Sequence, residues 1–240
     1  VVNQVWRIVQ GHGMAMFTDD ELRVELLQMS TLILEHGADV LAAEGTSKLD
    51  AIKFGWSFLS LEDVTVKHAA YLFISRFLQK FESPIKITGQ VYVGLLRLTP
   101  SDGRALVRRA LDTLVPALPE RVPSKDGQTP LWVKWTKRTL LDEGHNVLQL
   151  CSILQLLVRY SDLFYDSRDL FVPHMVTSLA KLGFASSSTA ESKKLAIQLI
   201  DLLIKWDLPS SADTDAQGGD AESVSRKRIK TGTDTYADSS

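Results

Sequence analysis

From residue 21 to residue 206 the apolar residues of this 240-residue chain recur at helical spacing, and that single pattern removes most folds from consideration. Leu22, Leu26, Met29 and Ile33, with Leu27 and Leu34 beside them, make the stripe of a helix over 21–36. Further helices follow over 48–60, 63–81 and 85–98. The stretch 102–117 makes a fifth, and a loop rich in turn residues, 119–130, separates it from a sixth over 131–143. A seventh, 146–160, is apolar nearly all round and reads as a helix sandwiched between layers. An eighth runs over 166–182 and stops at Gly183. Ser188-Thr189-Ala190-Glu191 is a capping-box pattern opening a ninth that ends near Trp206. Thr129-Pro130 likewise predicts a capped start for the sixth helix. The stretch 85–98 is rich in β-branched residues, but it lacks strict alternation and a hairpin turn signal, so helix is the better reading there too.

The connections are short, so neighbouring helices are expected to run antiparallel. Pairing the first with the second, and so on to the seventh with the eighth, gives units near the length of HEAT or armadillo repeats. The expected fold class is all-α: an α-solenoid of HEAT-like antiparallel helix pairs. Residues 1–208 would hold about four to five pairs. A compact helical bundle is the competing architecture. Residues 1–9 read as the end of an amphipathic helix begun upstream, so the chain is expected to be a segment of something longer.

Little in the residues points to chemistry. The single cysteine, Cys151, excludes an internal disulfide and a multi-cysteine zinc site, and it lies on the most apolar helix. Of the five histidines, His12, His36, His68, His145 and His174, no two stand at metal-ligand spacing on one helix face. His36-Gly37 and Gly144-His145 suit helix ends. No phosphate-binding loop, nucleophile elbow or kinase catalytic signature occurs. Catalytic residues, cofactors and metals are therefore expected to be absent. No apolar run is long enough to span a bilayer, and a net charge of −2 argues against a general nucleic-acid binder, so no direct sequence-specific nucleic-acid binding is expected.

Two basic groupings remain in the helical part: Arg104, Arg108 and Arg109 on the fifth helix, and Lys134, Lys137 and Arg138 on the sixth. Their spacing places several on common faces. Such faces suit an acidic partner, or they are simply solvated. Trp132, Trp135 and the pair Phe164-Tyr165 read as packing residues. After Trp206 the composition turns to Ser, Asp, Gly, Thr and Ala, so 209–240 is expected to be a disordered linker. Within it, Arg226, Lys227, Arg228 and Lys230 fit the short basic pattern read by import receptors; a solubilising charge cluster is the alternative.

Several runs are unusual enough to be diagnostic: 81–93 (FESPIKITGQVYV), 143–147 (EGHNV), 159–165 (RYSDLFY) continuing to 170–175 (LFVPHM), 194–199 (KLAIQL) and 204–206 (IKW). Together they resemble the transformation/transcription domain-associated protein family, giant pseudokinases of the phosphatidylinositol-3-kinase-related group. The resemblance covers nearly all of 1–208. It implies a long HEAT-like solenoid ahead of FAT and kinase-like domains, with no catalytic residues to carry over. It implies a nuclear coactivator, the largest subunit of SAGA-type and MYST-type histone acetyltransferase complexes. DNA-bound transcription activators would contact it, and neighbouring repeats of the same chain would flank this segment. It also implies a linker after 204–206 that sometimes carries import-type clusters, which favours importin as a partner of 226–230. The rival reading is a HEAT- or armadillo-type nuclear transport adaptor, which should show stacked Trp/Asn positions on successive inner helices; none is evident.

Overall fold

The computed structural model describes residues 18–43, 48–98, 104–125 and 127–208. Every regular element among them is helical. The nine longer helices are α1 (Asp20–Ala43), α2 (Lys48–Leu59), α3 (Val64–Lys80), α4 (Ile85–Arg97), α5 (Arg104–Leu114), α6 (Leu131–Glu143), α7 (Val147–Arg159), α8 (Val172–Gly183) and α9 (Ala190–Asp207). The expected helix over 1–9 and the tail 209–240, with Arg226, Lys227, Arg228 and Lys230, lie outside the described residues.

Local chemistry sets the helix starts. Asp19 Oδ1 accepts from Glu21 N at 2.8 Å, Asp63 Oδ1 from Val66 N at 2.7 Å, and Asn146 Oδ1 from Leu148 N at 3.0 Å. Each satisfies a backbone donor that the helix leaves unpaired. Two expected caps differ. Pro130 itself is the N-cap of α6 and no side chain caps it, so Thr129 has no such role. At α9 the cap is Thr189 rather than Ser188: Thr189 Oγ1 accepts from Ser192 N at 3.2 Å. Ser188 instead donates to Lys181 O. Gly37 falls inside α1 with non-helical angles (φ −125°, ψ 18°), so 36–37 is a kink and not a helix end. The 119–130 loop begins inside an α turn at Leu118–Arg121, which a 3₁₀ turn at Val115–Ala117 precedes. The eighth helix starts later than expected, because a turn at Ser161–Phe164 and a 3₁₀ stretch at Tyr165–Leu170 precede it. The chain bends by 93° there.

The helices form a two-layered α-solenoid. Within a layer neighbours run parallel; between layers they run antiparallel. Phe54 of α2 packs edge-on to Phe73 of α3, while Lys48 at the start of α2 sits over Phe81 beyond the end of α3. That contact pattern is antiparallel. Against α6, Tyr92 meets Thr136 and further along Arg97 meets Asp142, which is parallel. α1, α3 and α5 lie side by side, as do α4 with α6 and α7 with α9. The adjacent pairs that pack most closely are α2–α3 and α8–α9, joined by α4–α5 and α6–α7. The pairing is thus shifted by one helix from the expected first-with-second scheme. The reason is α3, whose buried residues Val66, Ala69, Leu72, Phe73, Ile74 and Phe77 cover most of its circumference. It serves α1, α2, α4 and α5 together.

One continuous apolar core runs from Leu26 to Trp206. Fully buried Phe58, Phe73, Phe164 and Phe171 each contribute about 2–3 kcal/mol of transfer free energy. Trp132, Phe164 and Phe171 form an edge-to-face chain with centroid spacings of 5.1 and 5.4 Å, so Trp132 and Phe164 are packing residues. Gly89 lets α4 approach α6: a Cβ there would stand 2.7 Å from Trp135 Cη2.

Candidate partner-binding surfaces

The two basic groupings stand on different layers. α6 packs on α4 and α7, whereas α5 packs on α3 and α4. They do not merge into one patch. On α6, Lys134 and Arg138 share an exposed face with Leu131 and Leu141, and Lys137 is half-buried. Arg138 makes a loose ion pair with Asp142 at 3.8 Å. On α5, Arg109 is exposed, while Arg104 and Arg108 line a groove. Arg108 reaches Asp112 at 3.8 Å.

That groove exists because α4 backs two helices that do not pack closely on each other. α5 leans on one side of the α4 C-terminus and α7 on the other. Between them is a cleft of about 900 Å³. Its floor is apolar, with Leu95 and Leu96 of α4 and Ile153 and Leu156 of α7 buried beneath half-exposed Val107 and Leu111 of α5. Gln149 of α7 fastens the base. Its Nε2 donates to Leu96 O and to Leu98 O (3.2 Å), satisfying carbonyls that the end of α4 leaves open.

Three polar contacts tie the groove at its ends. Arg104 Nη1 meets Glu191 Oε2 of α9 at 3.2 Å. Glu191 is the residue that the capping-box pattern assigned to the α9 start; its carboxylate faces Arg104 instead. At the other end Asp112 of α5 accepts from Arg159 and, at 2.8 Å, from Tyr160 Oη. Burial and the neighbouring Asp112 carboxylate push the Tyr160 phenol up to about 12, so it stays a donor. Arg159 and Lys194, which complete the cationic rim, were not in either expected grouping. Only their separation in sequence hid them.

Outside the groove, Cys151, His68 and His145 have structural settings. Burial pushes the Cys151 thiol up, and Sγ lies 3.8 Å from Ser192 Oγ, so it is a poor nucleophile. His68 is buried on α3 with Nδ1 unpartnered, and burial lowers its pKa. His145 Nδ1 sits 3.1 Å from Asp142 O at the α6 C-terminus. Among the described residues no group of three His, Cys, Asp or Glu side chains could hold a metal, and no single helix is long and apolar enough to cross a membrane.

The whole chain, residues 1–240, matches the family model of the Tra1 HEAT repeat ring region. It is 43% identical over 189 residues to "Probable transcription-associated protein 1" of Dictyostelium discoideum, which covers 79% of this chain and 4% of that protein. It is 38% identical over 188 residues to "SAGA complex/NuA4 acetyltransferase complex subunit TRA1" of Saccharomyces cerevisiae, covering 78% and 5% respectively. To the human "Transformation/transcription domain-associated protein" it is 34% identical over 221 residues, covering 86% and 6%. The chain therefore spans about a twentieth of the length of the curated relatives it matches.

Proposed function

This chain belongs to the Tra1 HEAT repeat ring family, and from that premise we propose that it is a non-catalytic scaffold segment of a nuclear transcription coactivator. It is a HEAT-repeat segment and not a kinase domain. In this reading the parent is a pseudokinase that links DNA-bound activators to SAGA-type and MYST-type histone acetyltransferase complexes. The observation that carries it is the match over four-fifths of the chain to relatives named for transcription, one of them as a SAGA/NuA4 acetyltransferase subunit.

The architecture supports this reading. A solenoid of stacked helix pairs buries each unit against its neighbours and leaves shape and surface as its working parts. Among the described residues Cys151 and His68 are packed into the helices and Asp63 caps one, while exposed charges stand on the outer faces of α5, α6 and α9. The rival transport-adaptor reading calls for a Trp/Asn ladder. Asn146 is instead the N-cap of α7, and Trp132 and Trp206 are buried in the core.

The tail cluster Arg226, Lys227, Arg228 and Lys230 would serve as an import signal bound by an importin. Fusing 209–240 to a cytosolic reporter should carry it into the nucleus, and alanines at the four positions should leave it outside. The scaffold reading is tested by purifying the full-length protein through a tag placed in 209–240. Acetyltransferase subunits should co-purify. Recovery of transport cargo and a small nuclear-transport GTPase instead would overturn it.

A further inference from the structure

We propose that Ser83, in the connection between α3 and α4, is a phosphate-acceptor site for a proline-directed protein kinase that also requires a cation three residues further on. The site is independent of the scaffold reading.

Ser83-Pro84-Ile85-Lys86 places a proline directly after a hydroxyl and a lysine three residues after it. Each has a physical role in such recognition. Proline has no N–H, so a kinase pocket that offers no acceptor at that point disfavours every other residue, whose N–H would be left unpaired. The lysine meets an acidic subsite of the kinase. Thr99-Pro100 and Thr129-Pro130, the other hydroxyl–proline pairs of this chain, carry Asp102 and Trp132 at the lysine's position.

The fold leaves the Ser83 hydroxyl unused. Ser83 stands just ahead of α4, where serine commonly caps a helix, yet Pro84 is the N-cap and no side chain caps it. Ser83 itself is half-exposed, and Glu82, Pro84, Ile85 and Lys86 around it are exposed. A kinase binds its substrate extended, and this connection already is. Phe81 has φ −124° and ψ 140°, Pro84 has φ −54° and ψ 133°, and a residue before proline is held out of the helical region. Seating Lys86 opens the first turn of α4. The bonds from Ile87 N and Thr88 N to Pro84 O, at 2.8 and 3.3 Å, are the first to go, and fraying at a helix end is among the least costly local openings.

The step is a phosphoryl transfer from ATP. Ser83 Oγ bonds to the γ-phosphorus, and the bond from that phosphorus to the β,γ-bridging oxygen breaks. ADP leaves with the electron pair, and the hydroxyl proton passes to the kinase's base. Within 80–86 the product phosphate has Lys80 and Lys86 on either side in sequence and one carboxylate, Glu82. It also stands beside the α4 start, which lacks a side-chain cap, so its charge stabilises the first turn.

The test treats the full-length protein with ATP and a cyclin-dependent protein kinase, with a synthetic 78–92 peptide as the control for kinase activity. Phosphopeptide mass spectrometry should find phosphate on Ser83. Lys86→Ala and Pro84→Ala should each slow labelling about tenfold or more, and Ser83→Ala should abolish it. Thr129 should label more slowly than Ser83. Hydrogen exchange of the 85–88 amides should be slower in the phosphorylated protein than in the untreated one. Labelling of the peptide but not of Ser83 in the full-length protein would overturn the assignment. A labelling rate indifferent to Lys86→Ala would do the same, and unchanged or faster exchange at 85–88 would overturn the stabilising role of the phosphate.

Discussion

Tyr92 donates its phenolic hydrogen to Thr136 Oγ1 at 2.7 Å, inside the contact between α4 and α6. The direction follows from Thr136, whose own hydrogen already goes to Trp132 O at 2.8 Å. Both side chains are fully buried, and burial raises the Tyr92 phenol far above its ordinary range, so the donor never ionises. The two helices are thereby locked in register by a bond with no aqueous substitute.

This relation sets the order of two substitutions. Thr136→Val leaves the phenol buried without an acceptor and should destabilise the α4–α6 contact by about 2 kcal/mol. Tyr92→Phe leaves Thr136 its bond to Trp132 O and should cost about 1 kcal/mol. Native-state hydrogen exchange of 85–97 and 131–143 in the full-length protein reads both. Equal or reversed effects would show that the bond does not hold the register.

His68 gives a pH dependence with a definite sign. Burial holds its folded pKa below the ordinary 6.5, with Asp63 opposing weakly, so the unfolded chain binds more protons. Its contribution to stability is complete above pH 6.5 and falls as the pH drops below that value. His68→Leu removes the titration and a buried Nδ1 that has no partner. Exchange protection of α3 should fall between pH 7 and pH 5.5 in the wild type, and fall less in the variant. Identical profiles would exclude His68 as the source.

α9 has two apolar faces. Leu195, Leu199, Leu202 and Trp206 are buried, and Ile197, Ile200, Ile204 and Leu208 form an exposed stripe. A polypeptide of residues 1–208 is therefore expected to self-associate or express poorly. Ile197→Glu/Ile204→Lys should raise its monomer fraction in size-exclusion chromatography with light scattering. A monodisperse wild-type monomer would contradict the expectation.

Ser223 and Ser225 flank the basic cluster. Phosphate at both adds negative charge beside Arg226, Lys227, Arg228 and Lys230. A doubly phosphorylated 220–232 peptide should bind importin more weakly than the plain peptide. Equal affinities by calorimetry would remove this control.

The helices were legible because burial of one face imposes a period of 3.6 on the chain, and even the β-branched 85–98 obeyed it. Partner choice was less legible. α3 is apolar around most of its surface, so the pattern of Val66, Phe73 and Phe77 does not say which neighbour each residue meets. The capping-box pattern at 188–191 carried a correct helix start, but Thr189 supplies the cap and Glu191 turns to Arg104. For the candidate site, Arg104 and Arg108 were visible as a helical face. The groove was not, because Arg159 and Lys194 reach the same cleft only through the way α4 backs both α5 and α7. No local spacing encodes that arrangement.

Lysine crosslinking of the intact complex, read by mass spectrometry, tests the central claim most directly. The account predicts crosslinks from exposed Lys134 of α6, half-buried Lys137 beside it or exposed Lys193 of α9 to acetyltransferase-complex subunits. Crosslinks from these lysines only to transport cargo, with no acetyltransferase subunit recovered, would contradict it.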